Sequence, residues 1–263
     1  MNDRHSHPPV TDGLSLVIPA YNEAAGIRQA VAEADDALTR LGFRYEILVV
    51  DDGSEDGTAA EVLRVLSERP GVRLLCHPAN RGYGAALRTG FAAARFDAVA
   101  FTDADCQFHL DDLALLVPLT MHHPLAVGYR IDRQDPWLRR FCSWGYNVLV
   151  RFLLGTRVRD CDCALKVFRR EALAPLVPQT SGFFVNTEML TRARQLGYAV
   201  AEVGVRHRPR RHGTSKVSLA DVPRTLAALV PFWWSEVVLR KVQPRRLDVR
   251  PAEARSPLAA ARG

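Results

Sequence analysis

Short apolar runs alternate with helix-spaced segments through the first half of this chain, and few folds accommodate that rhythm. Residues 14–18 read as a strand stopped by Pro19, and residues 23–41 carry helical spacing. Residues 45–50, 72–76 and 98–101 read as further strands, with 125–127 as a short fifth. Residues 58–66, 85–94 and 113–121 read as the intervening helices. Strand–helix alternation implies an α/β fold with a mostly parallel sheet and helices on both faces. In such sheets ligands bind at the carboxyl ends of the strands. No internal repeat interrupts the pattern.

Two of those strand ends carry acids. The run Ala98-Val99-Ala100-Phe101 ends in Thr102-Asp103-Ala104-Asp105-Cys106-Gln107, and Ile47-Leu48-Val49-Val50 ends in Asp51-Asp52-Gly53-Ser54. Residues two apart on extended backbone point to one side, so Asp103 and Asp105 can face one hard cation, which could also hold a diphosphate. Oxygen ligands at Asp103, Asp105 and Gln107 favour Mg²⁺ or Mn²⁺. Pro19, Ala20, Tyr21 and Glu23 follow the first strand, where a base and ribose can sit. Gly53 and Gly57 permit tight turns. Asn80, Gly82 and Gly84 bring backbone close to a nucleotide or to a packed neighbour. The first strand is followed by Pro19-Ala20-Tyr21, not by the glycine fingerprint of a dinucleotide-binding dehydrogenase.

The five cysteines lack a C-x-x-C pair and read as reduced thiols of a cytosolic protein, with no zinc assigned. Residues 1–13 lack an apolar core segment and are expected to be a flexible leader. The net charge of +6 concentrates toward the other end, where Arg240, Lys241, Arg245, Arg246, Arg250, Arg255 and Arg262 face only Asp248 and Glu253. With three prolines interspersed, residues 243–263 are expected to be a disordered basic tail. An anionic membrane surface suits that tail, as does solvent alone; no nucleic acid is expected.

Residues 137–154 place Trp137, Phe141, Trp144, Val148 and Phe152 on a wide apolar face, with arginines at helical spacing opposite. Residues 220–242 hold a second apolar segment with Phe232-Trp233-Trp234. Neither resembles a membrane span, since the first contains arginines and the second is short, with Pro231 and Glu236 inside it. Trp and Arg on amphipathic helices suit a membrane interface; packing on the sheet or on a partner is the alternative.

Four segments together resemble glycosyltransferase family 2, and within it the dolichol- and polyprenol-phosphate mannose or glucose synthases. They are Val17-Ile18-Pro19-Ala20-Tyr21-Asn22-Glu23, Asp51-Asp52-Gly53-Ser54-Glu55-Asp56-Gly57-Thr58, Asn80-Arg81-Gly82-Tyr83-Gly84-Ala85 and Asp103-Ala104-Asp105-Cys106-Gln107. The resemblance runs from about residue 14 to 219 and implies a GT-A fold over 14–219, a nucleotide-diphosphate-sugar donor and a divalent metal. It places the nucleoside at Pro19–Glu23 and at Asp52, with Asp51 as a strand-end buttress. Arg208-Pro209-Arg210-Arg211-His212-Gly213-Thr214-Ser215-Lys216 resembles the family's R-x-x-G-x-S-K loop, which puts Arg210 and Lys216 on the donor phosphates and Gly213 at a flexible point of a lid.

Gly128-Tyr129-Arg130 resembles a family G-S-R element, which makes Arg130 a donor or acceptor-phosphate contact. Asp160-Cys161-Asp162-Cys163-Ala164-Leu165-Lys166-Val167-Phe168 resembles D-x-x-C-G-F-K-x-F, which brings Asp160 near the acceptor. Ala164 and Leu165 depart from the usual Gly and Phe. Phe183, Phe184 and Glu188 resemble F-F-x-x-x-E, where Glu188 holds a loop. A hydroxyl acceptor would need Asp160 as a base; a lipid phosphate, already anionic, would need only positioning.

The implied activity is inverting transfer of one hexose from GDP-mannose or UDP-glucose to a polyprenyl or dolichyl phosphate, at the cytoplasmic face of the membrane. No Q-x-x-R-W pattern of processive synthases is present. Peripheral contact or a separate membrane-anchor protein is the expected means of attachment. A soluble or protein acceptor, and a silent sugar-nucleotide-binding scaffold, are the alternatives; both D-x-D acids and Asp160 weigh against the scaffold.

Overall fold

A computed structural model describes residues 13–131, 137–182, 184–210, 227 and 229–235. Strands β1 (Leu14–Ala20), β2 (Tyr45–Asp51), β3 (Val72–Cys76) and β4 (Ala98–Phe101) alternate with helices α1 (Ile27–Leu41), α2 (Thr58–Leu66) and α3 (Tyr83–Ala93). A broken helical stretch follows, in which α4 (Leu113–Leu116) is flanked by 3₁₀ turns. Then come β5 (Leu125–Ile131), α5 (Trp137–Leu154), β6 (Lys166–Arg169), α6 (Arg170–Leu173), α7 (Val185–Gln195) and β7 (Val200–Arg206). They build one seven-stranded sheet in the order β3-β2-β1-β4-β6-β5-β7. Every pairing is parallel except those of β6, which runs against both β4 and β5.

Pro19 does not stop β1. Its ring nitrogen faces the β4 side, where pairing has already ended at Val17 opposite Phe101, while Ala20 still accepts from Asp52 N on the β2 side. A strand tolerates proline where no ladder bond is lost. The helix expected over 113–121 breaks after Leu116, since Pro118 cannot donate into it. Helix α1 starts at Ile27 instead of 23, and β5 runs four residues beyond 127.

The strands of the sheet centre are buried on both faces, which explains their unbroken apolar runs. Phe101 stacks on Phe168 at a centroid distance of 6.2 Å, and Phe91 from α3 packs edge-on to Phe101 at 5.9 Å. Burying one such ring stabilises the fold by about 2–3 kcal/mol. That cluster ties β4, β6 and α3 together just beneath the acid-bearing edge.

Reversal of β6 has a positional effect. Lys166, its first residue, lies opposite both Phe101 and Val127. The loop that enters β6 therefore reaches the same edge at which β4 and β5 end.

Candidate active site

The loops after β1 and β2 are clamped together. Asn22 N donates to Ser54 Oγ and Glu55 N to Asn22 Oδ1, each at 2.9 Å. Glu23 N donates to Thr58 Oγ1 at 2.9 Å and Ala24 N to Asp56 Oδ2 at 3.0 Å. Asn22 takes a left-handed φ of 50° to make both of its contacts, a conformation asparagine adopts more readily than most residues. Burial works to raise the Asp56 carboxyl, but bonds from Thr58 and from the Ala24 and Thr58 amides outweigh it and hold it below its ordinary value. Asp51 accepts from both the amide and the hydroxyl of Ser54. The acidic motif after β2 is thus largely a brace for the loop after β1.

Asp52 is buried and accepts at both oxygens. Its Oδ1 contacts His77 Nδ1 at 2.6 Å and accepts from Arg81 N at 3.0 Å, and its Oδ2 accepts from Gly82 N at 2.7 Å. His77 Nε2 in turn meets Thr89 Oγ1 at 2.8 Å. Two contacts on Oδ1 and one on Oδ2 make Asp52 the anchor of the Asn80–Gly82 turn, at the edge where the nucleoside contact is expected. Gly82 has φ 91°, and a Cβ on Gly84 would stand 2.0 Å from the Thr180 carbonyl oxygen. The glycines there serve backbone packing against the 180–181 loop, whose Ser181 carbonyl accepts from Gly84 N at 3.0 Å.

Asp103 and Asp105 stand at the end of β4. Tyr83 Oη donates to Asp103 Oδ1 at 2.9 Å, and Arg210 Nη2 donates to Asp105 Oδ2 at 2.9 Å. Arg210 Nη1 also lies 3.7 Å from Glu23. Burial, followed by the neighbouring charge of Asp105, pushes Asp103 up to about 6. Burial also raises Asp105, with Arg210 working against it. Burial outweighs the positive charge that Arg210 and Lys166 bring to this pair, and hard carboxylate oxygens suit Mg²⁺ or Mn²⁺. Among the described residues no cluster of three or more acids, histidines or cysteines surrounds a common point. The protein's share of a metal shell would be Asp103 and Asp105, with the donor's phosphates and water completing it, as is usual for Mg²⁺. Gln107, expected as a third ligand, donates its side-chain amide to the Arg208 carbonyl at 3.3 Å, while its backbone N caps Asp105 at 3.1 Å. Arg208 is bound to Glu33 of α1 and to the Cys106 carbonyl. These bonds carry the chain after β7 across the acid edge and deliver Arg210.

The second half supplies the other side of this edge. Arg130, near the end of β5, grips Asp160 with two bonds, Nε to Oδ2 at 2.7 Å and Nη2 to Oδ1 at 2.9 Å. Burial opposes the charge on Arg130, but the Asp160 bonds outweigh it and push the guanidinium above its ordinary value. Lys166 is wholly buried; its ammonium donates to the carbonyls of Cys161 and Cys163 and to Asn186 Oδ1. Burial lowers its pKa. It shapes the 160–165 loop from within, so the departures at Ala164 and Leu165 leave the lysine's role intact. Glu188 accepts from Gln179 N at 2.8 Å and from Thr180 N at 3.0 Å, and so holds the loop packed on Gly84.

Lys216, Gly213 and Phe183 lie outside the described residues, as does most of the 220–242 segment. Within that segment Leu229 is buried and Phe232 meets Phe184 at 4.9 Å, while Val230 and Trp234 are exposed. Helix α5 presents Trp137, Phe141, Trp144, Val148 and Phe152 to the outside, with Phe152 85% exposed. Its other face is anchored near the acid edge by Asn147, which accepts from Cys161 N, and by Tyr146, whose hydroxyl meets Thr187 Oγ1. No described helix is long and apolar enough to cross a membrane.

Sequence reasoning did not single out Tyr83, His77 or Thr89. Tyr83 sits inside a quoted motif, but its bond to Asp103 spans 20 residues. His77 and Thr89 belong to no motif, and only the fold brings them to Asp52.

The family model of glycosyl transferase family 2 matches residues 15–176. An undecaprenyl-phosphate 4-deoxy-4-formamido-L-arabinose transferase of Edwardsiella ictaluri is 33% identical over 220 residues, covering 82% of this chain and 66% of that protein. The protein of the same name from Pseudomonas aeruginosa is 35% identical over 215 residues, 80% of this chain and 62% of the relative. Glycosyltransferase AglD of Haloferax volcanii is 32% identical over 88% of this chain and 39% of its own length. The chain therefore spans about two thirds or less of the length of these relatives. Glucosyl-3-phosphoglycerate synthase from Mycobacterium tuberculosis, solved with Mn²⁺, UDP and glucosyl-3-phosphoglycerate, superposes with a TM-score of 0.65 at 24% identity, over 85% of this chain and 79% of that one. The seven-stranded sheet with one reversed strand is thus the GT-A-like fold, and the chain belongs to glycosyl transferase family 2.

Proposed function

We propose that this chain transfers a single sugar from a nucleotide-diphosphate donor to a polyprenyl phosphate lying at a membrane surface, with inversion at the anomeric carbon. The observation that carries the reading is the placement of the paired acids Asp103 and Asp105 at one edge with α5, whose apolar stripe faces outward. Trp and Phe on an acid-free helix suit the headgroup region, where a lipid-borne acceptor would be met. The relatives named for undecaprenyl phosphate support the same acceptor class.

The geometry of the described residues supports the following roles. Pro19, Ala20, Tyr21 and Glu23 line the clamped loop that would hold the nucleoside. Asp103 and Asp105 would hold Mg²⁺ or Mn²⁺, which when bound supplies positive charge to a departing diphosphate. Arg210 stands beside them and, with Lys216, would neutralise the phosphates as the bond to the sugar breaks. Arg130, fixed by Asp160, provides a cation on the acceptor side. GDP-mannose and UDP-glucose are the first donors to try, together with a 4-deoxy-4-formamido-L-arabinose donor. Attachment would be peripheral, at the cytoplasmic face, with or without a separate anchor protein.

Incubation of the protein with each radiolabelled donor, undecaprenyl phosphate and Mn²⁺ tests the reading. Label is expected in the organic-extractable lipid. Label confined to water-soluble product would favour a soluble acceptor, and absence of any donor binding or sugar release would leave a silent scaffold.

A further inference from the structure

The two acids at the end of β4 are held in different ways. Asp105 is engaged at both oxygens: Oδ1 accepts from Gln107 N at 3.1 Å and Oδ2 from Arg210 at 2.9 Å. Asp103 is engaged at one. Its Oδ1 accepts from Tyr83 Oη at 2.9 Å, and its Oδ2 has no hydrogen bond among the described residues. Asp103 Oδ2 is therefore the oxygen of this pair left for a ligand from outside the protein. An aspartate carboxylate turns in a broad two-fold torsion, so a donor fixed on one oxygen decides where the other points.

Tyr83 is itself fixed from two directions. It opens α3 between two glycines whose amides are tied to different parts of the chain. Gly82 N donates to Asp52 Oδ2 at 2.7 Å and to Asn80 Oδ1 at 3.0 Å. Gly84 N donates to the Ser181 carbonyl at 3.0 Å. Asp52 is braced in turn by His77, and the 180–181 loop by Glu188, which accepts from both the amide and the hydroxyl of Thr180. The end of β2 and the loop before α7 thus set the Tyr83 backbone, and its side chain reaches from α3 to the end of β4.

We propose that Tyr83 is a positioning residue of the metal site: its hydroxyl, held on Asp103 Oδ1, keeps Oδ2 turned toward the dication. This rests on the reading of Asp103 and Asp105 as metal ligands and adds what orients them. A phenol is neutral at physiological pH, so Tyr83 steadies the carboxylate without bringing a rival positive charge to it.

The test titrates Mn²⁺ against the donor-free full chain, following the free ion by electron paramagnetic resonance, in wild type, Tyr83→Phe and Asp103→Asn. Removing an outer hydrogen-bond partner of a metal ligand costs about 10–100-fold in affinity. Tyr83→Phe keeps the ring and is expected to bind Mn²⁺ at least about tenfold more weakly. A role confined to packing would not couple the phenol to the ion, so the tyrosine ultraviolet difference spectrum on adding Mg²⁺ is the second measurement. A difference band is expected in wild type, as the ion draws charge from Asp103, and its loss in Tyr83→Phe assigns it. Wild-type or tighter Mn²⁺ affinity in Tyr83→Phe, a band that survives there unchanged, or no band in wild type, would each overturn the proposal and leave the metal site standing. Wild-type affinity in Asp103→Asn would instead overturn the metal reading, and the role of Tyr83 with it.

Discussion

The Arg210 guanidinium donates to Asp105 Oδ2 at 2.9 Å and approaches Glu23 at 3.7 Å, so a side-chain cation occupies one flank of the acid pair. Metal and arginine draw on the same carboxylate charge. A hydrogen bond between charged groups is worth about 1.5–3 kcal/mol. Arg210→Gln is therefore expected to tighten Mn²⁺ binding to the donor-free protein by roughly tenfold, while turnover falls. Electron paramagnetic resonance of free Mn²⁺ measures the first effect; unchanged or weaker metal affinity would show that the two cations do not compete.

Asp103 carries a stability signature of its own. Its folded-state pKa is raised to about 6 from 3.8, so the native protein holds the proton more tightly than the unfolded chain. The stabilisation is complete below about pH 4 and disappears as pH rises through about 6. Asp103→Asn keeps an acceptor for the Tyr83 hydroxyl and removes the charge. Urea unfolding at pH 7.5 should find the variant more stable by on the order of 2 kcal/mol, with the difference gone at pH 4. A variant equally stable at both values would refute the assignment.

Asp52 predicts a local loosening. Asp52→Ala strips the acceptor from buried His77 and from the Arg81 amide and leaves the Gly82 amide only Asn80 Oδ1 at 3.0 Å, at a cost of about 2 kcal/mol. Hydrogen exchange at the amides of Arg81 and Gly82 should accelerate more than that of the β1 amides. Uniform acceleration would mean that Asp52 supports the fold as a whole and not this turn.

Two glycines offer a contrast that needs no assay of function. Gly84→Ala would drive a methyl group toward the backbone oxygen of Thr180, which cannot simply rotate away, and a loss of about 2 kcal/mol or more is expected. Gly145 lies inside α5 with nothing within 4 Å of its added Cβ. Gly145→Ala should instead stabilise by about 0.5–1 kcal/mol through backbone entropy. Thermal unfolding distinguishes the pair.

The stripe on α5 predicts a surface phenotype. Trp144 and Phe152 are 62% and 85% exposed, so Trp144→Ser and Phe152→Ser should leave the melting temperature within about 2 °C, as exposed substitutions usually do. Each is expected to weaken sedimentation with anionic vesicles by roughly tenfold, on the scale of one aromatic side chain leaving an apolar phase. Unaltered vesicle binding would move the docking face elsewhere.

Much of the first half was legible because its punctuation is local. The boundaries of α2, β3 and β4 follow from apolar runs bounded by acids, glycines and prolines. The second half was not. Strand β6 is four residues long and begins with a buried lysine, and β7 contains Glu202 and Gly204, so neither shows a strand pattern. The acids and arginines of the site were visible as motifs, but which of them pair was not. Arg130 lies 30 residues from Asp160 and Arg210 lies 105 from Asp105. Which carboxylate is braced depends on such long-range pairs, as at Asp52 and Asp160.

The reversed β6 also divides labour along the chain. Everything proposed for holding the nucleotide precedes Met121, apart from Arg210 and Lys216, and everything proposed for the recipient lies between Met121 and β7. A chimera that takes residues 125–200 from a relative and keeps the rest should inherit that relative's choice of recipient while retaining this chain's choice of donor. The fold would in that sense be a two-part cassette, open to recombination at two seams.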